Sequence, residues 1–373
     1  MKVAFCIRPD YLTVFGGDSV QCIKTKENLE NNFDVKIDII VDPTLITKEY
    51  DLVHIFNFAT VDITKQFYER SLKLNLPIFA SSIYWDYSFV STSRIAKVLG
   101  IKFFISDLYM NFMLFLIKIT AFVFNKPQNI SRGFRHNLKY FINKATCVLP
   151  NSAEEANLLL SFTKLNSSLL NDKFRVVLNA VEFGEERVEL SKSDFLKKWN
   201  IPDNYILQVG RVEYTKNQLN LITALMDRSD IPLVFVGKVV EFDYYERIKK
   251  IAKKRGNVYF IDFVPHKEIS TFYKYAKLHV LLSLRESPGL VNLEALKNGC
   301  PIVIPDQRFL PVDTYFSGQP YIVNPFDIVN VKQTVIEAYE KGAKIKFDID
   351  KFSWKNTSKD TYSAYIEFMG NRN

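Results

Sequence analysis

The chain has 373 residues and a formal net charge of +8; 47% of it is apolar and 24% charged. At about 100–200 residues per domain, this length predicts two domains, each large enough for its own core. With only 13 glycines and 14 prolines, a fibrous or wholly disordered chain is excluded. Four dispersed cysteines (Cys6, Cys22, Cys147, Cys300) lack metal-ligand spacing. That argues against a zinc ribbon and fits free thiols in a reducing cytosol.

The chain starts Met1-Lys2-Val3-Ala4-Phe5-Cys6-Ile7-Arg8. Five apolar residues between charges are too few for a signal-peptide core and suit a buried first strand. Strands are expected at Val3–Ile7, Val35–Val41, Leu52–Phe56, Ile78–Ser81 and Cys147–Pro150. Amphipathic stretches such as Ser19–Asn31 and Thr64–Lys73 lie between them. A second series follows at Tyr205–Val209, Leu233–Val236, Val258–Ile261, Val280–Ser283 and Pro301–Ile304. Its helices are expected at Gln218–Met226, Tyr244–Lys254, Ile269–Lys274 and Leu290–Asn298, with a last helix at Thr357–Phe368. Alternating strands and helices predict two doubly wound α/β units with parallel sheets. The polar stretch Glu182–Asp203 reads as their junction.

Charge is unevenly placed. Between Tyr87 and Pro150, nine Lys/Arg stand against one acid, Asp107, so this segment carries the whole net charge. It also holds the most apolar run, Phe112–Phe124, too short for a spanning helix of about 20 residues. Two readings stand. Either this is a buried helix with a solvated basic flank, or residues 96–140 touch an anionic membrane through Arg132, Arg135 and Lys139. No nucleic-acid motif accompanies the charge, so no nucleic-acid partner is expected.

Three segments hold candidate chemistry. Gly16-Gly17 follows the first strand and opens a helix, where backbone amides can meet an anion or simply make a turn. Gly210-Arg211-Val212-Glu213-Tyr214-Thr215-Lys216-Asn217 puts two cations at the carboxyl end of a strand, the edge where open α/β sheets bind ligands. Arg211 can fork onto a phosphate and Lys216 adds a point charge; an ordinary solvated loop is the alternative. In Glu286-Ser287-Pro288-Gly289-Leu290-Val291-Asn292-Leu293-Glu294, two glutamates stand eight positions apart, one before a helix and one inside it. Ser287 is expected to cap that helix, with Pro288 in its first turn. Amides at Gly289, Leu290 and Val291 would face an anion, and the carboxylates would accept from sugar hydroxyls. Two surface glutamates in a capped helix would look the same.

Together these motifs resemble glycosyltransferase family 4, retaining enzymes of the GT-B fold. The E-x7-E pattern is matched by Glu286 and Glu294, G-R-x4-K-N by Gly210, Arg211, Lys216 and Asn217, and the Gly-Gly loop by Gly16 and Gly17. The interdomain motif appears as Leu178-Asn179-Ala180-Val181-Glu182, and the late tryptophan as Trp354. The resemblance implies two Rossmann-like domains facing across a cleft. Residues 1–184 would form the acceptor domain, joined by the helix 356–373, and residues 185–355 the nucleotide-sugar donor domain. It implies that Arg211 and Lys216 hold the donor diphosphate beside Gly210. Glu294 would take the ribose hydroxyls, and Glu286 the transferred sugar. Pro288, Gly289, Leu290 and Val291 would line the sugar and phosphate, with Gly16 and Gly17 closing over the donor. Glu286, Arg211 and Lys216 are the expected catalytic residues.

No metal and no cofactor are expected beyond a nucleotide-sugar substrate, UDP-linked being the commonest in the family. The acceptor would be a glycan or lipid-linked, in polysaccharide or glycolipid synthesis, in the cytoplasm at the inner face of the plasma membrane. One departure concerns the first domain, where many family members carry a histidine. Here the stretch Ala80–Asp86 has none, leaving Trp85 or Asp86 as acceptor-side candidates. His54 lies in a strand pattern and is read as a core residue. The rival readings are another GT-B enzyme such as a phosphorylase, and a non-catalytic nucleotide- or glycan-binding homologue.

Overall fold

The computed structural model describes residues 1–88, 90, 132–182, 190–319, 321–342 and 347–370. The described residues form two compact units, one of residues 1–88, 132–182 and 350–370, the other of residues 90, 190–319, 321–342 and 347–349. Most of the basic segment 96–140 lies outside the described residues.

The first unit holds strands β1 (Lys2–Cys6), β2 (Lys36–Ile40), β3 (Leu52–Phe56), β4 (Ile78–Ser81) and β5 (Cys147–Val148). All pair in parallel, in the order β2-β1-β3-β4-β5. Parallel sheets are covered on both faces, and β3 and β4 are accordingly buried at every position. Helices α1 (Gly17–Asn32), α2 (Val61–Lys73), α3 (Arg132–Lys144), α4 (Ala153–Thr163) and α5 (Leu169–Lys173) belong to this unit. In α2 the buried residues Thr64, Phe67, Tyr68 and Ser71 fall at helical spacing and make one inward stripe.

The second unit starts with α6 (Lys192–Trp199), inside the stretch expected to be a plain junction. Ser191 caps it by accepting from the Asp194 amide at 3.2 Å, and Phe195 is buried edge-on against Phe272. Then come β6 (Ile206–Val209), α7 (Gln218–Ala224), β7 (Leu233–Val236), α8 (Phe242–Arg255) and β8 (Val258–Ile261). The chain continues through α9 (His266–Tyr275), β9 (Leu278–Val280), α10 (Leu290–Lys297), β10 (Ile302–Pro305), α11 (Val312–Tyr315), β11 (Ile322–Val323) and α12 (Ile328–Lys341). This sheet is also parallel, in the order β11-β10-β9-β6-β7-β8.

Helix α13 (Trp354–Gly370) returns to the first unit. Tyr362 stacks on Phe33 with ring centroids 4.2 Å apart, and Tyr365 is wholly buried. Among the described residues no helix is long and apolar enough to cross a membrane.

In each sheet the chain grows one way from its first strand and then the other. The order reverses between β1 and β3, and between β6 and β9. Crevices at the carboxyl ends of such strands are where open α/β sheets hold ligands.

His54 of β3 is a core residue. Its Nε2 lies 2.9 Å from Ser81 Oγ, and its Nδ1 meets the Tyr365 hydroxyl. Burial lowers its pKa from 6.5 to about 3, and His279 in β9 is lowered to about 3 mainly by the same cause. Between those values the unfolded chain binds a proton that the folded chain does not. Stability is therefore full above pH 6.5 and is lost as pH falls, by about 1.4 kcal/mol per pH unit for each histidine. Urea melts of His54→Gln are expected to show a shallower acid slope than the wild type. An unchanged slope would contradict this account.

Candidate functional site

At the reversal in the second sheet, the loops after β6 and β9 are tied together. The Leu284 amide donates to Thr215 O at 2.8 Å. Between the same two loops, Lys216 Nζ pairs with Glu286 Oε1. Both side chains are mostly buried, 16% and 11% exposed. A cation and a carboxylate from distant motifs thus meet at the sheet's switch point.

The loop that carries Lys216 is held at both ends. Buried Gln208 of β6 donates Nε2 to Lys216 O at 2.7 Å, and buried Gln218 of α7 donates to Arg211 O at 2.9 Å. Arg211 leans on Glu213, Nη2 to Oε1 at 3.1 Å, and its side chain is 43% exposed. Asn217 takes a left-handed conformation (φ 56°) that turns the chain into α7.

Gly210 (φ 147°) and Gly237 (φ 145°) directly follow the neighbouring strands β6 and β7. A Cβ on Gly237 would lie 2.3 Å from Gly210 O and 2.7 Å from Gly210 C. The close backbone approach therefore requires glycine at 237, a position sequence reasoning did not single out. The signal was present: Val-Gly closes both strands.

Glu286 stands before α10 and Glu294 within it. The Glu286 amide donates to Phe309 O at 2.7 Å, which ties the loop after β9 to the one after β10. The helix start differs from the expected one. Ser287 and Pro288 precede the helix, and Gly289 (φ 87°) takes the cap position without a side-chain hydrogen bond. Leu290 and Val291 then supply the first-turn amides, which have no intrahelical acceptor in any α-helix. A Cβ on Gly289 would crowd Asn292 Nδ2 at 3.2 Å and Glu286 Cγ at 3.3 Å. Any side chain here would push against the Glu286 carboxylate arm. Glu294 Oε2 accepts from the Tyr273 hydroxyl at 3.1 Å. Like the two glutamines, Tyr273 was missed; a tyrosine in a chain with 19 of them gives no signal.

The reversal in the first sheet lies beside Gly16 and Gly17. Arg8, just after β1, donates Nε to Asp18 Oδ2 at 2.7 Å and Nη2 to Asp18 Oδ1 at 3.1 Å. Asn57, just after β3, donates to Asp18 Oδ2 at 3.2 Å. Burial raises the Asp18 carboxyl, but the Arg8 guanidinium, Asn57 and the Ser19 amide outweigh it and hold it below its ordinary value. The amino end of α1 is thus met by the chain's own carboxylate.

A Cβ on Gly16 would lie 3.1 Å from Asp18 Oδ1, whereas one on Gly17 meets nothing within 4 Å. Gly16→Ala is expected to cost about 1 kcal/mol in urea unfolding, and Gly17→Ala close to none. Equal costs would contradict the packing.

Trp85 is buried (1% exposed), so it offers no open ring face. Asp86 Oδ1 accepts from the Ser88 amide at 2.8 Å and hydroxyl at 2.7 Å, a local turn contact. Of the three basic residues expected to touch a membrane, all on α3, Arg132 and Lys139 are exposed, while Arg135 lies over the Phe162 ring at 5.3 Å.

Comparison with known proteins bears on this geometry. Residues 191–346 match the family Glycosyl transferases group 1. That segment carries Lys216, Glu286 and Glu294. The uncharacterized glycosyltransferase MJ1607 of Methanocaldococcus jannaschii is 29% identical over 236 residues, 53% of this chain and 56% of that protein. The serotype-specific mannosyltransferase WbdA of Escherichia coli is 26% identical over 252 residues, 61% of this chain and 29% of that protein. The chain thus spans about half or less of these relatives' lengths. Anabaena HepE, solved in complex with UDP and glucose, superposes with a TM-score of 0.62 at 16% identity, over 99% of this chain and 95% of that one. The fold is GT-B.

Proposed function

We propose that this chain is a retaining glycosyltransferase of family 4 type. It moves a sugar from a nucleotide-sugar, UDP-linked, to a glycan or lipid-linked acceptor in cell-surface polysaccharide or glycolipid synthesis. The observation that carries this reading is the Lys216–Glu286 pair at the β6/β9 switch point, within the segment that matches Glycosyl transferases group 1. HepE's bound UDP and glucose support a nucleotide-sugar donor, and WbdA's mannosyltransferase activity makes mannose the first rival sugar to test.

In this reading the bond between sugar and diphosphate breaks toward an oxocarbenium-like sugar. Negative charge grows on the departing phosphate. Lys216 and Arg211 offset that charge, and the first-turn amides of α10 add fixed dipoles, so no metal is required. Lys216 must exchange its bond to Glu286 for the phosphate, which releases the Glu286 carboxylate toward the sugar. Glu294 accepts from the ribose hydroxyls. The acceptor hydroxyl attacks from the leaving-group face, and its proton passes to the departing phosphate.

Transfer assays with anomeric analysis by NMR test the reading. It requires product with the donor's anomeric configuration and activity that survives EDTA. Inverted product would overturn retention, and nucleotide binding without turnover would favour a non-catalytic homologue. For the membrane contact, Arg132→Gln with Lys139→Gln is expected to weaken binding to anionic liposomes at low salt. Unchanged binding would remove that partner.

A further inference from the structure

We propose that Tyr273 is a positioning residue that aims Glu294 at the ribose hydroxyls of the donor nucleotide. The inference rests on the donor reading above and adds to it a residue that touches no substrate. Tyr273 lies on α9 and is fully buried. Its hydroxyl donates to Glu294 Oε2 at 3.1 Å, linking α9 to α10. Its ring stands edge-on to His279 of β9, with centroids 5.4 Å apart, so the phenol itself is fixed by the sheet.

A glutamate side chain has three torsions and loses entropy when it must point one way. A hydrogen bond from a buried, immobile hydroxyl selects the rotamer before any ligand arrives. A carboxylate accepts about four hydrogen bonds, and the bond from Tyr273 takes one of those positions. Burial, together with the nearby Glu294 charge, raises the Tyr273 phenol well above its ordinary value, so it stays a donor throughout the neutral range. Two vicinal hydroxyls of a ribose are the ligand groups that a preset carboxylate suits.

The test compares affinities for UDP, GDP and ADP with those for their 2′,3′-dideoxy counterparts, by calorimetry on the full chain. The wild type is expected to prefer the ribose form of its nucleotide by about tenfold or more. Tyr273→Phe and Glu294→Gln should each erase most of that preference and leave dideoxy affinity unchanged. The double variant should lose no more than either single one. Tyr273→Met, which fills the space without a hydroxyl, stands in if the phenylalanine variant does not fold.

Retained ribose preference in Tyr273→Phe, with the preference lost in Glu294→Gln, would overturn the positioning role alone. Equal loss for ribose and dideoxy forms would mark Tyr273 as structural and also overturn it. A wild type that binds both forms equally, or binds none of these nucleotides, would instead refute the reading of Glu294, and this inference with it.

Discussion

Replacing Lys216 with alanine is expected to lower kcat/KM for sugar transfer about 10²–10³-fold, the usual loss when a preorganised donor to transition-state charge is removed. The fold should survive, because the loop is held by Gln208 and Gln218 through backbone carbonyls and not by the ammonium. The variant has a second consequence. Lys216 and Glu286 neutralise one another in a mostly buried setting, so each single replacement strands a charge that costs more alone than paired. Glu286→Gln combined with Lys216→Ala should therefore lose less than the product of the single losses. Strict multiplicativity, measured by kcat/KM for the four proteins, would mean that the pair does not act together.

The largest expected effect on stability belongs to Gly237→Ala. The added methyl would sit 2.3 Å from a backbone oxygen and 2.7 Å from a backbone carbon of Gly210. Neither atom can rotate away, and φ of 145° is strained for alanine in any case. A cost above about 3 kcal/mol follows, enough to lower Tm by about 6–12 °C for a unit of this size. The damage should also reach the site, because Gly210 begins the loop that carries Arg211 and Lys216. An alanine variant that melts like the wild type would contradict the close approach of β6 and β7.

Much of this was legible in the sequence for a plain reason. Strands β3, β4, β7 and β8 are short β-branched and aromatic runs whose limits follow from local patterning. The glutamates of the E-x7-E pattern and the Arg211–Lys216 loop announce themselves by spacing. What was not legible depends on contacts between distant residues. Ser287 looks like a helix cap, but Gly289 occupies that position with a conformation that local patterning does not reveal. Gly237 matters because of Gly210, and Tyr273 because of Glu294. Trp85 reads as an acceptor-side candidate until its burial is known. Strand β11 has two residues, too few for any periodicity. The stretch Glu182–Asp203 was polar enough to pass for a linker, although Ser191 and Phe195 are the cap and the buried contact of α6.

The central claim is that a nucleotide diphosphate binds where the loops after β6 and β9 meet. Thermal unfolding with a panel of UDP-, GDP-, ADP- and CMP-sugars, with and without EDTA, tests it most directly. A ligand at about 100 times its Kd adds about 2.7 kcal/mol, a shift of several degrees. The account predicts a shift with one nucleotide, unchanged by EDTA and lost in Lys216→Ala. A shift that persists undiminished in Lys216→Ala, or none with any nucleotide-sugar, would contradict it.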